Sequence, residues 1–325
     1  MNLPALLAAS LPCLLLTQHA QSRLASATGR GRSVWATFLL GAVSTGIVLA
    51  VAPALGAGAL LPASVYGLGL EAALLRAAIP EEAAKFLVLA GFAAAWGHVR
   101  DVRSGVAHGL AASLGFASVE MVLFAAQGGM ESAVLRTFTA VPCHALLGVL
   151  MGWYAGRAAA ARAMRKRYVA AALGVPVLVH CGYDFPLMVL ARANRDGVPI
   201  GTLEVLALAT VGTGTLVVGA LAAFRVYRAS FPRVSNARSV RWSFAYAAHA
   251  LGSGVVAWFL IPVGGVVAST GAWIVGSLLF VEMPGLESVP NARAAVAALY
   301  AVGASLMCFG LAFAFRGIWT RHASA

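Results

Sequence analysis

The sequence predicts an all-α protein, a polytopic bundle of transmembrane helices with about nine spans. Three observations carry that expectation. Of the 325 residues, 61% are hydrophobic and only 10% are charged, where a soluble domain carries about 25% charged residues. Mean hydropathy is +0.86, and apolar runs of about 18 residues or more recur along the whole chain, each a transmembrane candidate. The runs are continuously apolar and do not alternate, which selects helices over a barrel, since lipid leaves unpaired backbone unsatisfied.

In chain order the expected spans are 3–19, 33–54, 80–96, 105–126, 137–156, 168–191, 201–224, 243–266 and 294–315. Residues 55–79 are apolar but rich in Gly and Pro, so they read as a re-entrant segment, an interfacial segment or a further span. Residues 267–281 pose the same question. Intramembrane acids and histidines cluster before residue 200 and nearly vanish after it. Three regions follow: N-terminal spans and an interfacial segment over 1–79, a catalytic helix bundle over 80–200, and a three-span extension over 201–325.

Net charge is +12, from 23 basic and 11 acidic residues. That balance suggests nucleic-acid binding only until the basic residues are placed. Seventeen of the 23 fall in residues 20–32, 100–103, 157–167, 225–241 and 316–321. The alternating loops hold Glu71, Glu131, Asp196, Glu282 and Glu287 with few arginines. Nine spans put every basic loop on one side, and that side is the cytoplasm. The expected partners are the lipid bilayer and membrane proteins, with no nucleic acid, and the C-terminus is expected in the cytoplasm. Residues 1–17 lack a basic leading region, and the positive flank of Arg23, Arg30 and Arg32 follows them, so a retained first helix is expected. Cys13, Cys143, Cys181 and Cys308 all lie in apolar segments without C-x-x-C spacing, which gives no disulfide framework.

Ionisable groups inside a membrane are costly, and each calls for a functional explanation. The first group is Pro80-Glu81-Glu82-Ala83-Ala84-Lys85. Pro80 suits the first turn of a helix. Both glutamates then sit where the helix dipole favours negative charge, and Lys85 is spaced to pair with either. Glu120 lies deep in an apolar helix that also carries Gly105, Gly109 and Gly115. His144 heads a stripe of Gly148, Gly152 and Gly156, a small-residue packing face that points it at a neighbouring helix. His180 and Asp184 share a helix face at i, i+4. A bland structural reading exists for each: a salt-bridged helix start, a packing glutamate, a core histidine, a bundle-stabilising His–Asp pair. Depth argues against four unrelated coincidences. The arginine-derived topology puts Glu81 at the outer end of its span. Glu120, His144 and Asp184 fall about 10 Å from an outer end, with His180 about one turn deeper.

Together these stretches resemble the PrsW family of membrane proteases and, more distantly, the CAAX-prenyl protease and bacteriocin-processing superfamily. The match runs from about Pro80 to Phe185 through E-E-A-A-K-F, S-L-G-F-A-S-V-E, V-P-C-H-A-L-L-G-V-L-M-G-W-Y-A-G and V-H-C-G-Y-D-F. By position, Glu81 and Glu82 match the family's paired glutamates, Glu120 its second-motif acid, His144 its third-motif His, and His180 and Asp184 its final H-x-x-x-D. Met121 stands where the family commonly has Asn, and His108 where it often has Tyr; both departures imply altered substrate contacts. The resemblance implies an intramembrane peptidase that cuts a single-pass membrane protein, such as an anti-sigma factor, near its extracytoplasmic face. It implies a multi-pass protein of a bacterial inner membrane.

Peptide hydrolysis needs an activated water and a stabilised oxyanion. Glu81 is the expected general base, with Glu82 supporting it or trading roles. His180 and Asp184 are expected to polarise the scissile carbonyl, and Glu120 and His144 to position water or protonate the leaving amine. No cofactor is assumed. A divalent metal such as zinc is the open alternative, held by Glu120, His144 and His180 with Glu81 as base; no H-E-x-x-H is present. Cys143 and Cys181 each adjoin a His, but adjacent helix residues do not face each other. Two rival functions use the same buried groups, a proton-coupled transporter and a catalytically silent membrane scaffold. An enzyme should gather Glu81, Glu120, His144 and His180 around one site.

Overall fold

A computed structural model describes residues 3–28, 32–55 and 60–230. Among them every element is helical and none is a strand. The chain forms two compact units, residues 1–199 with 218–235, and residues 200–217 with 236–325. The described part of the second unit is helical. The expected spans 243–266 and 294–315, the segment 267–281 and Cys308 lie outside the described residues.

The first unit is built from α1 (Leu3–Thr28), α2 (Arg32–Leu55), α3 (Val65–Glu71), α4 (Ile79–Val88), α5 (Val102–Phe138), α6 (Ala140–Ala160) and α7 (Arg165–Asp196), with the end of α8 (Thr202–Ser230). Four stretches are long and apolar enough to cross a membrane: Arg32–Val51, Val102–Gly129, Arg162–Asp196 and Thr202–Ser230. The helices α1, α4 and α6 occupy the other spans expected before residue 230 and are not among those four. In α6 the run is diluted by Pro142, His144, its glycines and Arg157, and most of this helix is buried inside the bundle. The chain is an integral membrane helix bundle.

Local chemistry sets the helix ends. The Asp101 carboxylate accepts from Ser104 N at 2.8 Å, and Ser104 Oγ lies 3.1 Å from Asp101 N, a capping box that starts α5. Ser64 Oγ accepts from Gly67 N at 3.0 Å to start α3. Gly197, at φ 65°, ends α7 in the left-handed conformation.

Residues 65–94 depart from the expectation. They form one continuous helical rod, α3 and α4 joined by a π-helical stretch over Ala72–Ala78, with a second π stretch over Leu89–Ala94. Pro80 therefore does not open a helix. A proline ring collides with the carbonyl four residues back, and a widened turn before it makes room. The N–H of Ile79 accordingly reaches back to Leu74 O. Because helical residues precede them, Glu81 and Glu82 have no free helix N-terminus beside them, which corrects the dipole argument. Their charge is met by Lys85 instead.

α5 and α6 meet along a close glycine seam. A methyl group on Gly105 would strike Gly152 O, and one on Gly109 would strike Gly148 O; Gly152 and Gly156 approach α5 as closely from the other side. The expected small-residue stripe is thus packed against glycines of α5. α5 also packs on α1 and α2, and α6 on α7. The register that the seam fixes puts Glu120 of α5 opposite His144 of α6.

α5 has one break. Gly129 has φ 66° and ψ −155°, a combination open mainly to glycine. A straight helix would place residue 136 about 24 Å beyond residue 120. The break lets the chain turn, and Arg136 comes back onto Glu120.

Candidate active site

Glu81, Glu82, Glu120, His144, His180 and Asp184 lie in one cluster drawn from α4, α5, α6 and α7. At its centre is Lys85, whose side chain is fully buried. Lys85 Nζ lies 2.7 Å from Glu82 Oε1, 3.3 Å from Glu81 Oε2 and 3.1 Å from His144 Nδ1. It also sits 4.3 Å from the centre of the Phe116 ring, a cation–π contact that suits an ammonium removed from water.

An ammonium only donates, so His144 Nδ1 must accept from Lys85. The ring proton is then on Nε2, which lies 2.7 Å from Glu120 Oε2 and donates to it. Ser113 Oγ donates to His144 O at 2.7 Å and ties the backbone of α6 to α5. The other oxygen of Glu120 accepts from Arg136 at 2.5 Å. His180 faces carboxylates through both nitrogens: Nδ1 lies 2.8 Å from Glu82 Oε1, and Nε2 lies 3.2 Å from Asp184 Oδ2 and 4.0 Å from Glu81 Oε2. Both short contacts are hydrogen bonds only when both ring nitrogens carry protons.

Burial divides the cluster into two layers. Glu82 and Lys85 side chains are 0% exposed, whereas Glu81, Glu120 and Asp184 keep 16%, 16% and 15%. Glu82 is locked by Lys85 and His180. Glu81 is the loosest of the four carboxylates, its nearest cation 3.3 Å away. Within the cluster, two buried polar atoms have no hydrogen-bond partner among the described residues, Glu82 Oε2 and Arg136 Nε. Orphaned buried groups are costly in a protein interior, and each calls for an explanation.

The donor set can be tested against a metal. Two groups of side chains offer ligand atoms that all lie within 4.8 Å of one another: Glu81, Glu120 and His144, and Glu81, Glu82 and His180. The expected set of Glu120, His144 and His180 is not one of them. Its two imidazoles stand edge to face with centres 6.0 Å apart, and Lys85 and Glu82 take their Nδ1 atoms. Glu81 belongs to both groups. Carboxylate oxygens and an imidazole nitrogen suit zinc or a similar divalent ion. Four carboxylates here face two permanent cations, Lys85 and Arg136, so further positive charge is needed, from imidazole protons or from a metal ion. The residues present fit a divalent metal.

Sequence reasoning missed Arg136. It sits in a segment that reads as the end of a loop, sixteen residues from the acid it contacts. The available signals were the Gly128-Gly129 pair, which permits the turn, and an arginine in a stretch otherwise poor in them. Cys143 and Cys181 are buried free thiols and make none of the contacts described above.

A family model described as "PrsW family intramembrane metalloprotease" matches residues 30–212, more than half of the chain. "Protease PrsW" of Bacillus subtilis (strain 168) is 37% identical over 113 residues, 34% of this chain and 52% of that protein. The protein of the same name from Shouchella clausii (strain KSM-K16) is 37% identical over 107 residues, 33% of this chain and 50% of that one. That of Halalkalibacterium halodurans is 39% identical over 114 residues, 34% and 52%. The match thus spans about half the length of these curated relatives. No solved structure matches. With a family model over more than half its length, the chain belongs to the PrsW family of intramembrane proteases.

Proposed function

We propose that the protein is an intramembrane peptidase that hydrolyses membrane-anchored proteins near the extracytoplasmic face of a bacterial inner membrane. The observation that carries this reading is the convergence of Glu81, Glu120, His144, His180 and Asp184 from four helices into one cluster with a part-exposed edge. Residues 80–200 are the catalytic region. The arginine bias of the loops puts the cytoplasm at the 162–167 turn and leaves the C-terminus in the cytoplasm. Single-pass proteins resembling anti-sigma factors are the substrate class.

Glu81 is the general base. It lies on the exposed edge, and its partners are the least tight, so its carboxylate is free to take a proton from water. Glu82 is a positioning residue, held by Lys85 and His180 and out of reach of water. His180, between Glu81 and Asp184, is placed to carry the proton onward to the leaving amine. Its Nε2 proton is shared with Asp184 in the resting protein and leaves for the more basic departing amine, while the proton that Glu81 took from water replaces it. Arg136 is the better donor to the scissile oxygen, because its Nε is unpartnered and its guanidinium is anchored on Glu120. A divalent metal at Glu81, Glu120 and His144 would supply Lewis-acid polarisation when bound, and Glu81 would then serve as a ligand in place of its role as base. His144 would offer Nε2 as the ligand, with its ring proton on Nδ1.

The test is cleavage of a tagged single-pass anti-sigma-like reporter in membranes, wild type against Glu81→Gln. A product cut near the outer face that disappears in the variant, at equal protein level, supports the reading. Cleavage that persists in Glu81→Gln removes Glu81 from the mechanism. A wild type that cuts no membrane-anchored reporter shifts the weight to proton-coupled transport.

A further inference from the structure

A second charged site lies away from this cluster, at the end of α7 opposite the basic turn 162–167. A cavity of about 130 Å³ is lined by Arg76, Arg192 and Arg195 together with apolar side chains. Sequence spacing explains why the two walls face each other. Leu68, Ala72 and Arg76 stand four apart on the rod 65–94, and Met188, Arg192 and Arg195 fall at i, i+4 and i+7 on α7. Each set makes one helix face, and the two elements pack together. Each face is apolar at one end and carries guanidinium at the other.

The charge is not internally neutral. Arg76 pairs with Glu71 at 2.5 Å, and Arg192 with Asp196 at 2.5 Å. Arg195 has no ion-pair partner among the described residues. Glu71 is also occupied by Leu60 N and Leu61 N, at 2.6 and 3.0 Å. Arg195 therefore carries the positive charge that is open to a ligand. The location adds weight: arginines are scarce on this face, whereas the loops at the other end of α7 hold them in numbers. Guanidinium groups recognise phosphate oxygens through paired, charge-assisted hydrogen bonds. A wall of Leu68, Ala72 and Met188 beside them matches an amphiphile and does not suit a free ion.

We infer that this cavity binds the phosphate headgroup of an anionic phospholipid. One phosphodiester charge with a neutral remainder satisfies the surplus; a zwitterionic headgroup would bring its own cation against the arginines. The two walls belong to the elements that carry Glu82 and His180, so an occupied site braces the pair on which the cluster depends. Lipid binding here does not require the protease reading to hold.

The experiment uses the full chain in a neutral detergent, with thermal unfolding and native mass spectrometry as readouts. The additives are short-chain phosphatidylglycerol, phosphatidylcholine of the same chain length, and inorganic phosphate. Phosphatidylglycerol should raise the midpoint and be retained as a bound lipid, and the other two should not. Arg195→Gln should weaken that effect by about tenfold, the loss expected for a charge-assisted hydrogen bond; Arg195→Lys, with charge but no fork, should fall between. Arg162→Gln, at the other end of α7, and Glu81→Gln should leave binding intact. An equal shift with phosphatidylcholine, or an undiminished shift in folded Arg195→Gln, overturns the site. An equal shift with inorganic phosphate overturns the lipid as its occupant.

Discussion

Glu82 Oε1 stands 2.8 Å from His180 Nδ1, joining residues 98 positions apart, and the same oxygen lies 2.7 Å from Lys85 Nζ. One fully buried carboxylate oxygen thus holds both an ammonium and an imidazole. Removing one partner of a buried pair leaves the other charged and desolvated, at a cost of about 3–5 kcal/mol. Glu82→Gln should therefore unfold at markedly lower temperature in detergent and lose activity with it. Glu81→Gln keeps the Glu82–Lys85–His180 core and should lose cleavage at nearly wild-type stability. Replacing both partners, Glu82→Gln with Lys85→Met, should recover much of the stability and none of the activity. Equal destabilisation by Glu81→Gln and Glu82→Gln would contradict the two-layer division.

The glycine seam gives a second expectation. Gly152 faces Gly105 O closely enough that a methyl group forces α5 and α6 apart. That seam sets the Glu120–His144 contact of 2.7 Å. Gly152→Ala should cost about 1–3 kcal/mol, the usual range for overpacking, and reduce cleavage in step. Gly174, on α7, has nothing near the position of an added methyl. Gly174→Ala should be neutral or stabilising by up to about 1 kcal/mol, from helix propensity alone. Thermal unfolding of the two variants side by side checks the pair.

The membrane class, the helices before residue 230 and the gathering of the cluster were legible in the sequence because each rests on a local rule. A charge in an apolar helix needs a partner, and helical spacing with loop arginines says which residues share a level. That reasoning puts Glu120, His144 and Asp184 at one level and His180 on the helix face of Asp184, and the structure brings Glu120 onto His144 and His180 onto Asp184. What escaped it depends on backbone departures that no residue spacing reveals. Pro80 reads as a helix start because nothing in Ala72–Ala78 announces a π-helical stretch. Arg136 reads as a loop arginine because its return to Glu120 depends on one positive φ at Gly129. The expected set of Glu120, His144 and His180 leaves out Glu81, which belongs to both groups of ligand atoms that come within 4.8 Å, because spacing along the helices does not give the distance between two imidazoles on different ones.

Metal content separates the two possible ligand groups. In the group of Glu81, Glu82 and His180, Lys85 and His180 both bind Glu82 Oε1 within 2.8 Å, and the Glu82 side chain is fully buried. The group of Glu81, Glu120 and His144 carries the part-exposed carboxylates. Zinc bound by purified protein, read by elemental analysis, should fall sharply in His144→Asn and Glu120→Gln and persist in His180→Asn. A strong chelator should abolish cleavage and zinc should restore it. Retention of metal in His144→Asn would assign the ion elsewhere.

Arg136 carries the most specific mechanistic expectation. Its guanidinium contacts Glu120 at 2.5 Å and lies 3.6 Å from the centre of the Phe124 ring, yet its buried Nε has no partner among the described residues. A donor that is fixed, buried and unpaired in the resting protein is what a developing oxyanion requires, because no reorganisation is needed when charge appears. Loss of one such donor typically costs about 10²–10³ in kcat. Arg136→Gln should lower kcat by that order with KM changed little, and added guanidinium should restore part of it. Arg136→Lys, which keeps charge without the fork, should fall between wild type and Arg136→Gln. If Arg136 only held Glu120 in place, Arg136→Gln would lower metal content in parallel with rate, as Glu120→Gln does. Full zinc occupancy with a slow kcat is the outcome that assigns Arg136 to the scissile oxygen.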